Sequence, residues 1–167
     1  MRHFHEELKE LKEQLVSMGL AVAQAIEKAV QSLFERNNEL AHEVIDSDEN
    51  AVNQFEIEID ERVRSLSALQ QPAAYDMRVL ASIYKMNTDL ERIGDHAVNI
   101  AERALLLNEQ PPLETNIHLN ELTNAAQKML RDALQAFIHE DVELAREVLK
   151  RDDEVDDYND ADRKSVV

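Results

Sequence analysis

Cysteine is absent from this 167-residue chain, which excludes disulfides, thiol catalysis and cysteine-ligated zinc. Glycine and proline are scarce, at two and three residues. Folds rich in tight turns need many of both, so a chain this poor in them reads as long, uninterrupted helices. Aromatic residues make up 4% and tryptophan is missing, which leaves Leu, Ile, Val, Ala and Met to build the core. No apolar run approaches the ~20 residues of a membrane span. The N-terminal stretch MRHFHEELKELKEQ is acidic and amphipathic and lacks the apolar core of a signal peptide, so a cytoplasmic location is the default expectation. Positive charge is short as well: 18 Lys and Arg face 35 Asp and Glu, a net charge of −17. That disfavours nucleic acid, which is held through Lys and Arg on phosphates, and direct docking on anionic lipid. It favours cations or basic protein surfaces as partners.

What is present is helical periodicity. Leu8, Leu11, Leu15, Met18, Val22, Ala25, Ile26, Ala29 and Leu33 recur at three- and four-residue steps and predict a first helix from about Glu6 to Glu35. Asn37 and Asn38 break the pattern and can supply a cap. A second helix is expected from about Glu39 to Ala68, closed by Gln70-Gln71-Pro72 because a residue before proline avoids helical geometry. A third runs from about Ala73 to Leu107. The double proline at Pro111-Pro112 marks a linker. A fourth helix covers about Ile117 to His139, and a fifth runs from about Asp141 to the end. Short connections make the neighbours antiparallel. Shifting the chain by 104 residues places Ala29, Gln31, Glu39, Leu40, Ala41, Glu43, Val44 and Asp48 on Ala133, Gln135, Glu143, Leu144, Ala145, Glu147, Val148 and Asp152, as two copies of one helical unit would.

The most informative segment lies in the third helix, Asp89-Leu90-Glu91-Arg92-Ile93-Gly94-Asp95-His96-Ala97-Val98-Asn99-Ile100-Ala101-Glu102. An α-helix advances about 100° per residue. Glu91, Asp95, Asn99 and Glu102 therefore share one face, while Leu90, Ile93, Ala97, Ile100 and Ala101 share the other. Like charges four residues apart cost a few tenths of a kcal/mol, a cost that a bound cation reverses. Oxygen donors of this kind suit Mg, Mn, Ca or ferric iron better than soft metals. One helix cannot complete a coordination shell alone; Asp46, Asp48, Glu49, Glu56 and Asp60 of the second helix, or a neighbouring chain, are the possible completers.

This segment, together with the upstream string Ala68-Leu-Gln-Gln-Pro-Ala-Ala-Tyr-Asp-Met-Arg78, resembles the signature of the PhoU family, cytoplasmic regulators of bacterial phosphate uptake. That family carries an acid-x-x-x-Asp motif on the third helix of each of two three-helix bundles, and Glu91 and Asp95 match it. The resemblance implies an all-α fold: a PhoU-like three-helix bundle over residues 1–108, a linker over 109–116, and two helices of a second, incomplete bundle over 117–167. The counterpart of the motif would fall near 195 and 199, outside the 167 residues. The resemblance further implies a metal ion (iron, zinc, manganese or magnesium) at Glu91 and Asp95, with Asn99 and Glu102 beside them. It implies a negative regulator of the phosphate-starvation response that links the phosphate ABC transporter to a phosphate-sensing histidine kinase, peripheral to the inner membrane through those partners.

Other patterns carry less. Glu39-Leu40-Ala41-His42 is an E-x-x-H string like the ligand pair of ferritin-like di-metal bundles, but at the 104 shift His42 meets Arg146, so the pair is not repeated. His3 and His5 stand two apart and would not share a helix face. The acid run from Asp152 to Asp157 lacks the spacing of an EF-hand loop and reads as a solvated face. No nucleophile elbow, phosphate loop or zincin motif is present, so no enzymatic activity is expected. Leu122, Met129, Leu130, Ala133, Phe137, Val142, Leu144 and Leu149 form an apolar seam that two helices cover poorly, which predicts a homodimer joined through the fourth and fifth helices. The alternatives to a metal-binding regulator are a metal-free helical scaffold and, more remotely, a ferritin-like di-metal carboxylate protein.

Overall fold

A computed structural model describes residues 2–69, 72–112 and 119–165. The expected break at Gln70-Gln71, linker positions 113–116 and the expected start of the fourth helix at Ile117 lie outside the described residues. The regular elements are α1 (Arg2–Phe34), α2 (Asn38–Glu43), a π-helical segment (Val44–Asp48), α3 (Glu49–Leu69), α4 (Ala74–Asn108), α5 (Leu119–His139) and α6 (Val142–Ser165). Glu43, Val44 and Glu49 keep right-handed helical geometry, so α2, the π segment and α3 form one rod. The sequence expectation of five helices holds, with two differences.

The first difference is at the start of α1, which begins at Arg2 rather than near Glu6. Phe4 and Leu8 are buried and extend the seam of Leu11, Leu15 and Met18 by a turn. His3 and His5 are therefore inside the helix and exposed. The second difference is the π segment. In an α-helix, residues five apart stand about 140° from one another; an i→i+5 turn brings them back toward one side. Here that turn lets Glu43 and Asp48 meet the same ammonium, Lys28 Nζ of α1, at 2.5 and 3.1 Å. The Glu43 bond is the chief reason the Lys28 pKa is raised; burial opposes it and Asp48 adds to it. A hydrophobic pattern does not show which cation a widened turn will serve.

The chain divides into two compact units, Met1–Leu105 and Leu106–Val167. In the first, Ala25 and Ala29 of α1, Ala41 and Val44, and Ala97 and Ala101 of α4 form one buried cluster. Small side chains there let three rods approach closely. Arg62 of α3 donates to Gln14 at 2.9 Å and to Glu10 at 3.1 Å, and Gln14 donates to Glu58 at 2.8 Å. Low numbers on α1 meet high numbers on α3, so these two run antiparallel.

In the second unit α5 packs against α6, and Arg151 of α6 pairs with Asp132 of α5. Among its described residues only Gln127, Leu134 and Ala136 are buried. The repeat seen in the sequence is written into the backbone. Among the described residues, Arg36 and Glu140, 104 apart, are the two non-glycine residues with positive φ, at 53° and 55°. Each ends a helix. The next residue caps the following one: Asn37 Oδ1 accepts from the Leu40 amide at 3.1 Å, and Asp141 Oδ1 accepts from the Leu144 amide at 3.0 Å.

Candidate metal centre

α4 positions the acidic stripe. Its buried residues are Leu80, Ile83, Asn87, Leu90, Gly94, Ala97, Ala101 and Ala104, an alternation of three and four that lays one narrow face into the first unit. Glu91 and Asp95 sit on the shoulder of that face, Glu91 half-buried and Asp95 exposed. Gly94 between them brings α3 close: a Cβ at Gly94 would lie 3.1 Å from Val52 Cγ1. Lower down, Asn87 Nδ2 donates to the Glu56 carbonyl at 2.9 Å. Val52 meets Gly94 while Glu56 meets Asn87, so α3 and α4 also run antiparallel.

The charge of Glu56 on α3 reaches Glu91. The Glu91 carboxyl is raised above the usual range, first by burial, then by the charge of Asp95, then by that of Glu56; a hydrogen bond with Asp95 adds to the rise and Arg92 opposes it. Asp95 on the same helix and Glu56 on α3 thus both act against the charge of Glu91 at this shoulder.

The four residues singled out by the sequence divide in two. Glu91 and Asp95 are brought together; Asn99 and Glu102 stay on the same helix face, exposed to solvent. Of the possible completers, Glu56 acts on Glu91 through its charge, whereas Asp48 is taken by Lys28 and Asp60 by Arg64 at 2.5 Å. Asp46 is exposed. His42 of the E-x-x-H string is exposed too. Among the described residues no group of three or more His, Asp or Glu side chains is arranged to hold a metal ion. Glu91 and Asp95 offer two carboxylates on adjacent turns of one helix, fewer oxygen donors than the six to eight a hard cation takes. Sequence reading missed Asn87, which is buried, one turn before Glu91 and on the same face. Its signal was available: a lone amide in an otherwise apolar three-four pattern.

The PhoU domain model matches residues 15–104 and 119–167, one match in each unit. The phosphate-specific transport system accessory protein PhoU homolog of Aquifex aeolicus is 42% identical over 160 residues, covering 95% of this chain and 72% of that protein. The homolog of the same description from Pseudomonas putida is 38% identical and covers 99% of this chain and 65% of that protein. The crystal structure of PhoU from Pseudomonas aeruginosa superposes with a TM-score of 0.92 at 34% identity, over 97% of this chain and 78% of that one. With both helical units matched by one domain and an acid-x-x-x-Asp pair on the third rod of the first, this chain belongs to the PhoU family.

Proposed function

We propose that this chain acts as an accessory regulator of phosphate-specific transport, holding down the phosphate-starvation response by linking the phosphate ABC transporter to a phosphate-sensing histidine kinase. The observation that carries the reading is the double match of the PhoU domain, one to each compact unit. Among the described residues no helix is long and apolar enough to cross a membrane, which fits a cytoplasmic protein that reaches the membrane through its partners. A divalent or ferric ion at Glu91 and Asp95 belongs to this reading and is supported by the charges of Asp95 and Glu56, which act against that of Glu91. When bound, such an ion would neutralise the shoulder of α4 and offer a fixed positive centre. Asn99 and Glu102, exposed on the next turns, extend the same acidic face toward a partner. No catalytic role is assigned. Association of two copies through α5 and α6 completes the proposal, supported by their uncovered apolar side chains.

A metal-free scaffold is the second reading, favoured by the lack of a three-residue metal group among the described residues. One experiment separates them. A phosphate-starvation reporter is followed in the source organism after deletion of the gene, then after its return as the parent chain or as Glu91→Ala with Asp95→Ala. Derepression on deletion, reversed by the parent and not by the double variant, is the expected result. Reversal by both would leave the scaffold. No derepression on deletion would end the regulatory reading.

A further inference from the structure

Every basic side chain of α4 stands on one line. With Leu80 at zero and about 100° per residue, Arg78, Lys85, Arg92, His96 and Arg103 fall at roughly 160°, 140°, 120°, 160° and 140°. The buried residues of α4 centre near roughly 300° on the same wheel. The line therefore points away from the core, and all five side chains are exposed. The acids Glu91, Asp95 and Glu102 are kept apart from it, at roughly 20–60°.

A solvated helix face usually mixes both signs; here they are sorted. Acids outnumber Lys and Arg by 35 to 18 in the chain, and cations elsewhere in the first unit find carboxylates: Lys9 with Glu13, Arg62 with Glu10, Arg64 with Asp60. Among the described residues none of the five on α4 forms such a pair, although Asp89 stands within one turn of both Lys85 and Arg92. Arg92 tempers the Glu91 carboxyl beside it through its charge. Ser82 and Thr88, on either side of the line, turn their hydroxyls back to the Arg78 and Tyr84 carbonyls at 2.9 and 3.3 Å. What this face offers to a partner is positive charge.

The spacing says what it fits. Arg78, Lys85 and Arg92 follow one another at seven-residue steps, and so do His96 and Arg103. Each step is about 10.5 Å along the axis, and the whole line is about 37 Å long. A second helix laid alongside repeats its facing positions at the same interval, and charges there select the partner. A bilayer is flat and would meet Asp89, Asp95 and Glu102 together with the cations, on a chain of net charge −17.

We propose that the outer face of α4 docks an acidic helix of another protein, one that carries Asp or Glu at seven-residue intervals. This goes beyond the transport reading and does not depend on a metal ion at Glu91.

The test is fluorescence anisotropy of a labelled, alanine-rich helical peptide of about four heptads with Glu along one side, titrated with the purified full-length chain. A peptide of the same composition with its Glu residues scattered around the helix is the comparison. The chain is used as the parent, as Arg78→Gln with Lys85→Gln and Arg103→Gln, and as Lys9→Gln with Arg64→Gln and Arg146→Gln, which removes equal charge elsewhere. The parent is expected to bind the patterned peptide more tightly than the scattered one, and less tightly as salt is added. The α4 triple variant is expected to bind it roughly tenfold more weakly, the scale of three surface ion pairs, and the other triple variant to stay within about twofold of the parent. No binding by the parent, equal binding of the two peptides, or equal loss in the two triple variants would overturn the proposal. Flotation of the parent with phosphatidylglycerol vesicles, lost in the α4 triple variant, would overturn it in favour of a membrane surface. Self-association of the parent by light scattering, lost in the same variant, would overturn it in favour of a second copy of this chain.

Discussion

Glu91 occupies the point where the face of α4 turns from core to solvent, and its surroundings work against its charge. Burial, Asp95 and Glu56 all favour the protonated form. An acid whose pKa is raised on folding stabilises the native state fully below its unfolded value, about 4.3 for Glu. That contribution disappears as pH climbs through the higher native value, because the native chain then gives up a proton the unfolded chain has already lost. Near neutrality Glu91 is therefore a liability in the metal-free chain. Glu91→Gln is expected to melt with the parent at about pH 4 and above it at about pH 7. The gain at the upper end is a few tenths of a kcal/mol or more, the scale of one like-charge contact. It is also expected to abolish any rise in melting temperature on adding Mn(II). Melting curves across that range decide it: a gap that stays constant with pH, or a variant below the parent at neutrality, would sink this account of the site.

The elements owe their limits to single residues. α1 stops because Arg36 turns to positive φ, and the next rod starts because Asn37 satisfies the Leu40 amide, one of the four donors a helix leaves open at its start. Glu140 and Asp141 repeat both devices between α5 and α6. Asn37→Ala is expected to lower stability by about 1 kcal/mol, while Asn37→Asp, which keeps the acceptor, leaves it within a few tenths. Urea denaturation measures both, and equal loss in the two variants would show that the cap contributes through something other than its oxygen. The π segment has no counterpart in α6, although the ion pairs at the equivalent level survive with reversed sign: Lys28 with Asp48 in the first unit, Asp132 with Arg151 in the second. A charge clamp between the two rods of a unit is thus kept while its chemistry is exchanged.

At the scale of the whole molecule the two units differ in how well they cover themselves. The first buries Leu11, Leu15, Met18, Ile59, Leu80 and Ile83 completely or nearly so. The second leaves Val142 at 59% and Leu149 at 72% exposure, with Leu122, Met129, Leu130, Phe137 and Leu144 half-buried. Apolar surface left open in this way draws a partner. The chain is expected to run as a dimer by light scattering at micromolar concentration, and Leu149→Glu with Val142→Glu to shift it to monomer without loss of helical signal. A parent that is monomeric under those conditions would remove the self-association.

Residue order by itself determined the helices, their ends at Asn37 and Pro72, the doubling of the unit, the acidic stripe and the family. Each of these rests on neighbours along one chain segment: a period of 3.6, a cap, a proline, a spacing of four or of 104 residues. Tertiary structure alone decided which groups meet across helices. Asn87 reaches the Glu56 carbonyl, and Lys28 gathers Glu43 and Asp48 over a widened turn. Those meetings depend on the axial register of one rod against another. That register rests on contacts between rods such as Gly94 on Val52 and Asn87 on the Glu56 carbonyl, which periodicity along a single helix does not encode.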